Sequence, residues 1–170
     1  MNYHDIKYMN TLNGPGFRTV LFVSGCNHHC NGCHNPETWP LDSGIPFLQR
    51  DKTDIIASLR DPYVNGLTIT GGDPLHPSNC TGVQELCQLI RNDDVTACKS
   101  IWVYTGYIYE ELDDSIKSNI LPLIDVLVDG PFILEKRDTK FLYAGSTNQR
   151  LIDIKASLES GEVKLWKSKF

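Results

Sequence analysis

The chain has 170 residues, 41% hydrophobic and 22% charged, which fits one domain that folds without disulfide staples. Sixteen Lys and Arg against 21 Asp and Glu leave a net charge of −5, which excludes a general nucleic-acid binder built on clustered basic charge. The apolar runs are too short to cross a bilayer and the first residues lack the basic and apolar regions of a signal peptide, so the expected location is the reducing cytoplasm, with no membrane partner.

In chain order, residues 6–12 read as an edge strand and residues 19–24 as the first buried strand. A helical pattern at 53–59 leads to a strand at 67–70. A helix at 81–91 follows, where Thr81 and Gln84 have the spacing of a capping box. Next come a strand at 101–104, a helix at 109–119 and a strand at 126–128. A strand near 151–154 and a weakly alternating stretch at 163–166 complete the chain. The central runs are short and apolar on both faces, which suits strands buried in a parallel sheet. Their alternation with helices implies right-handed βαβ units. Five or six strands are too few to close an eight-stranded barrel. The expected fold is therefore α/β, an open, partial parallel β/α barrel, with residues 1–170 as one domain.

The six cysteines divide into two groups. Cys26, Cys30 and Cys33 form a C-x3-C-x2-C loop after the first buried strand. A structural zinc site would need a fourth ligand, for which His28, His29 and His34 are nearest, and usually a second ligand pair, which is missing here. A ferredoxin-like electron carrier would need a fourth cysteine, and Cys80 qualifies only if the fold brings it close. The third reading is an iron–sulfur cluster with three thiolates and one open iron, since catalytic metals keep a free coordination position. Gly25 and Gly32 would let the backbone wrap round such a cluster. The spacing leaves all three readings open. Cys87 shares a helical stripe with Val83, Leu86 and Ile90 and reads as a packing residue. Cys80 and Cys98 sit near element ends and are grouped with it as packing residues.

Gly71-Gly72-Asp73-Pro74 follows the second buried strand. Both loops thus lie at strand C-terminal ends, where parallel α/β folds carry their ligands. Two glycines let the backbone approach a ligand, and Asp73 offers a carboxylate to a cation such as an ammonium group. The same four residues also make an ordinary turn.

Together the two loops resemble the radical S-adenosylmethionine superfamily. Asn13-Gly14-Pro15-Gly16-Phe17-Arg18 and Leu21-Phe22-Val23-Ser24-Gly25-Cys26 are similar to the opening of glycyl-radical-enzyme activases. Asn35-Pro36-Glu37-Thr38-Trp39, Ile101-Trp102-Val103-Tyr104-Thr105-Gly106-Tyr107, Asp125-Val126-Leu127-Val128-Asp129-Gly130 and Gly145-Ser146-Thr147-Asn148-Gln149-Arg150 resemble, in order, the activating family of anaerobic (class III) ribonucleoside-triphosphate reductases.

The resemblance implies an oxidoreductase that cleaves S-adenosylmethionine reductively at a 4Fe-4S cluster. The 5′-deoxyadenosyl radical so formed would place a glycyl radical on the large reductase subunit. It implies Cys26, Cys30 and Cys33 as cluster ligands and Gly32, Cys33, His34, Gly71, Gly72 and Asp73 as S-adenosylmethionine contacts, with no catalytic acid or base. It further implies a one-electron donor such as flavodoxin, and a site that the large subunit closes. Asn13, Arg18, Asn35, Thr105 and Asn148 are polar candidates near strand ends, each with a structural reading beside the functional one. Trp102 and Tyr104 read as core or pocket wall. The chain departs from the pattern at His34, commonly Tyr in this family, and at Pro131, often Lys. Alternative functions are activation of another glycyl-radical enzyme, a small-molecule radical S-adenosylmethionine reaction, or a metal-binding structural or electron-transfer module.

Overall fold

The β-branched runs pair side by side in a single sheet in the computed structural model, which describes residues 1–168. Its seven strands are β1 (Asn2–Asn10), β2 (Phe17–Val23), β3 (Ile45–Pro46), β4 (Val64–Gly71), β5 (Ser100–Tyr104), β6 (Val126–Asp129) and β7 (Arg150–Asp153). Their order across the sheet is β3-β1-β2-β4-β5-β6-β7. The central strands β2, β4, β5 and β6 are mutually parallel, whereas β1 runs antiparallel to β2 and β7 antiparallel to β6. The fold is mixed α/β with a mostly parallel sheet that does not close, β3 and β7 forming its edges.

Side chains alternate across a strand, and here the two faces have different partners. Leu21, Val23, Leu67, Ile69, Ile101, Val103, Leu127 and Ile152 belong to the main core. They share it with Ile55 and Leu59 of α1 (Gln49–Leu59) and the predicted stripe Val83, Leu86, Cys87 and Ile90 of α2 (Pro77–Arg91). Trp102, Val126 and Val128 make a second cluster with Tyr104, Tyr143, Leu151 and Trp166. No helix among the described residues is long and apolar enough to cross a membrane.

Several expectations need correction. Among the described residues there are seven strands rather than five or six, because the two-residue β3 is too short to leave a periodic signal. The edge strand expected at 6–12 begins at Asn2, where Tyr3 is buried against the core. The stretch 163–166 contributes only an isolated bridge between Leu165 and Ile152. Helix α2 starts at Pro77, with His76 as N-cap accepting the Ser78 N–H, so Thr81 and Gln84 lie inside the helix and form no capping box. The expected helix at 109–119 is two pieces, a 3-10 turn at Tyr109–Glu111 and α3 (Asp114–Asn119). Leu112 and Asp113 between them are extended, which turns Leu112 into the core. The last helix, α4 (Ile154–Ser160), directly follows β7. Cys98 is exposed and is not a packing residue, while Cys87 is fully buried as its stripe requires.

Candidate active site

Strand β2 delivers the chain to the cysteine loop. The loop closes on itself, since Gly25 N–H donates to the Thr38 carbonyl (2.7 Å) and Cys26 N–H to the Trp39 carbonyl (3.0 Å). Inside it, Cys33 N–H donates to the Cys30 carbonyl (3.1 Å) and Asn35 N–H to the Cys33 sulfur (3.4 Å). Gly25, His29 and Gly32 all have left-handed backbones, which wind the loop tightly. Cys26, Cys30 and Cys33 are half-buried free thiols. Burial pushes the Cys26 and Cys30 thiols above their ordinary range, so both are protonated at neutral pH until a metal displaces the proton.

Strand β4 delivers the second loop against the first. Gly72 N–H donates to the Val23 carbonyl and Asp73 N–H to the Gly25 carbonyl, each at 2.7 Å. A Cβ on Gly72 would stand 2.6 Å from the Gly25 oxygen, so only glycine permits this approach. Asn79 of α2 adds a clamp, its amide donating to the Ser24 and Asp73 carbonyls at 2.8 and 2.9 Å.

Asp73 is 1% exposed, and both its oxygens are engaged. Oδ1 accepts from Leu75 N–H and Thr105 Oγ1 at 2.9 Å; Oδ2 accepts from His28 Nε2 at 2.8 Å and Gly106 N–H at 3.0 Å. Three loops, at the C-terminal ends of β2, β4 and β5, thus meet at one carboxylate. A fourth segment, after β6, reaches the far side of the cysteine loop. Leu134 lies against Gly32, and the His34 and Phe132 rings are 5.4 Å apart.

Of the other polar candidates, Thr105 joins this arrangement through its side chain and Asn35 through its backbone N–H on the Cys33 sulfur. Arg18 lies at the opposite end of β2, fully buried, with bonds to Thr68, Ser100 and the Leu67 carbonyl. Asn13 accepts the Thr68 hydroxyl through its carbonyl, a tertiary contact that ties the turn before β2 to β4, and the Asn35 carbonyl accepts from Thr38 in a local turn. Asn148 donates to the Pro131 carbonyl, and its Oδ1 is buried without a partner among the described residues. It lines a cavity of about 320 Å³ beside Asp129, Gly130 and Arg150. Trp102 and Tyr104 belong to the second apolar cluster, as expected. A larger cavity, about 460 Å³, opens near Arg91, Leu121 and Lys155 and includes none of the predicted site residues.

Residues 12–152 match the family model described as a 4Fe-4S single cluster domain. The anaerobic ribonucleoside-triphosphate reductase-activating protein of Vibrio cholerae serotype O1 is 48% identical over 153 residues, covering 88% of this chain and 96% of the relative. The protein of the same name from Escherichia coli strain K12 is 43% identical over 151 residues, with 88% and 96% covered. That from Enterobacteria phage T4 is 40% identical over 152 residues, with 89% and 93% covered. The chain belongs to the family of anaerobic ribonucleoside-triphosphate reductase-activating proteins.

The residues present fit the cluster that this activating family carries. Three free thiols within eight residues supply the soft donor set that iron–sulfur clusters use. Among the described residues, no three His, Cys, Asp or Glu side chains converge as they would on one metal ion. A cluster needs no such convergence, because each thiolate binds its own iron. Of the histidines offered as zinc ligands, His28 is hydrogen-bonded to Asp73, while His29 meets Trp39 edge-on and His34 lies near Phe132. The Cys80 thiol donates to the Leu75 carbonyl. His28 and Gly106 are the site residues that sequence reading misses as a pair, since nothing in the chain's spacing links a loop histidine to a turn 78 positions away.

Proposed function

We propose that this chain activates an anaerobic ribonucleoside-triphosphate reductase by placing a glycyl radical on its large subunit. When bound, the 4Fe-4S cluster supplies the electron that cleaves S-adenosylmethionine to methionine and a 5′-deoxyadenosyl radical, which takes a hydrogen atom from a glycine of the partner. The protein's own duties are to ligate, to orient and to exclude water and oxygen. Cys26, Cys30 and Cys33 hold the cluster. Gly32, Cys33 and His34 line the cofactor on the cluster side, and the turn at Gly71, Gly72 and Asp73 frames the methionine end. No residue acts as a general acid or base.

One observation carries this reading: the cysteine loop and the Gly-Gly-Asp turn are joined backbone to backbone at the C-terminal ends of adjacent parallel strands. Residues 1–170 act as one domain, an open partial barrel whose free side the large subunit covers. The electron comes from a one-electron donor such as flavodoxin, in the cytoplasm. The test is anaerobic: reconstitute with iron and sulfide, reduce, add S-adenosylmethionine and measure 5′-deoxyadenosine. Its formation is expected. A protein that holds zinc and leaves S-adenosylmethionine intact would contradict the reading.

A further inference from the structure

The Asp73 carboxylate faces into the protein. Its acceptor capacity is taken by Leu75, Thr105, Gly106 and His28. His28 is the one partner from the cysteine loop, two residues from both Cys26 and Cys30. Its ring is held on three sides. Nε2 donates to Asp73 Oδ2 at 2.8 Å, Tyr107 packs edge-on with ring centroids 4.5 Å apart, and Gly106 lies flat against it. A Cβ at position 106 would stand 2.4 Å from the ring, so the turn after β5 is shaped to the histidine. Thr105 Oγ1 holds that turn from both directions, donating to Asp73 and accepting Tyr107 N–H at 3.2 Å.

We infer that His28 is a positioning residue that locks the cysteine loop to the Gly-Gly-Asp turn through Asp73. The Asp73 carboxylate then acts on the methionine end through the shape of that turn rather than by direct ion pairing with the ammonium group. Four donors from three loops set the turn's place relative to the cysteines. This inference rests on the proposed cluster and S-adenosylmethionine site.

A double-mutant cycle on the reconstituted chain tests it, with iron and sulfide content, the dissociation constant for S-adenosylmethionine, and the change that S-adenosylmethionine causes in the electron paramagnetic resonance of the reduced cluster as readouts. Cluster assembly and cleavage by the wild type come first, because their failure would sink the functional reading instead. His28→Ala is expected to keep its iron yet bind S-adenosylmethionine about 10- to 100-fold more weakly, the usual range for loss of a supporting partner. Its spectral response should shrink accordingly. His28→Gln, which restores a donor, should recover most of the affinity. Gly106→Ala, which displaces the ring but keeps both polar partners, should behave like His28→Ala. Adding Asp73→Asn to His28→Ala should cost little beyond the larger single loss, as for residues acting as one unit. If Asp73 binds the ammonium directly, His28→Ala and Gly106→Ala will leave the affinity unchanged, or the two losses will multiply. Either result overturns the inference.

Discussion

Cys26, Cys30 and Cys33 differ from the other three cysteines in surroundings as well as spacing. The first three line one tightly wound loop, whereas Cys87 is fully buried, Cys80 donates to a carbonyl and Cys98 is exposed. Burial pushes the Cys87 thiol up to about 12, so it stays a neutral packing group. Replacing any of the first three by Ala is expected to reduce iron and sulfide after reconstitution to background. Cys87→Ala should keep the cluster and lower stability by about 1 kcal/mol, read from denaturant unfolding. Arg18 makes a different residue-scale prediction. Its guanidinium is fully buried beside Trp102, and burial pushes its pKa down to about 10, so it remains charged at neutral pH. Arg18→Met removes the donors to Thr68, Ser100 and the Leu67 carbonyl. The expected cost is about 3 kcal/mol, with iron content per folded chain unchanged, because Arg18 lies at the end of β2 remote from the cysteines.

At the scale of elements, β4 and β5 approach closely at Gly66. A Cβ there would stand 1.9 Å from the Ser100 carbonyl oxygen, which is backbone and cannot swing aside. Gly66→Ala should cost at least about 3 kcal/mol and lower the melting temperature sharply. Acid should loosen a second junction. Arg150 forks to Glu110 and also bonds Asp129, tying the start of β7 to the turn after β5 and the end of β6. The hydrogen bond from Arg150 is the main cause holding the Glu110 carboxyl below its usual range. Its stabilising effect is therefore present above the ordinary carboxylate range and lost as pH falls through the depressed one. The wild type should lose more melting temperature between about pH 6 and pH 3 than Glu110→Gln does.

The elements most legible in sequence were the buried strands and the stripe of α2, because burial on both faces and a 3.6-residue period are local signals. Strand β3, the start of α2 at Pro77 and the break at Leu112 were less legible. Each depends on a tertiary contact: edge pairing with Tyr3, the His76 cap, and a leucine drawn into the core. The site divides in the same way. Cysteine spacing and the glycine pair are local patterns, but the meeting of His28, Asp73 and Thr105 exists only once β2, β4 and β5 lie side by side.

Across the whole molecule, the sheet ends at β3 on one side and β7 on the other, so its strand ends are gathered but not encircled. The cysteine loop, the Gly-Gly-Asp turn and the segment after β6 all lie at the C-terminal ends of the parallel strands, the side on which α/β folds carry their chemistry. An open scaffold of this kind suits a substrate that is itself a large protein, whose glycine must come within reach of a radical otherwise lost to solvent. The most direct test is electron paramagnetic resonance of the large reductase subunit after anaerobic incubation with the reconstituted chain, a reductant and S-adenosylmethionine. A glycyl radical doublet is predicted with the wild-type chain and none with Cys30→Ala. A reductase that stays free of the radical beside a fully clustered chain that cleaves S-adenosylmethionine would contradict the account.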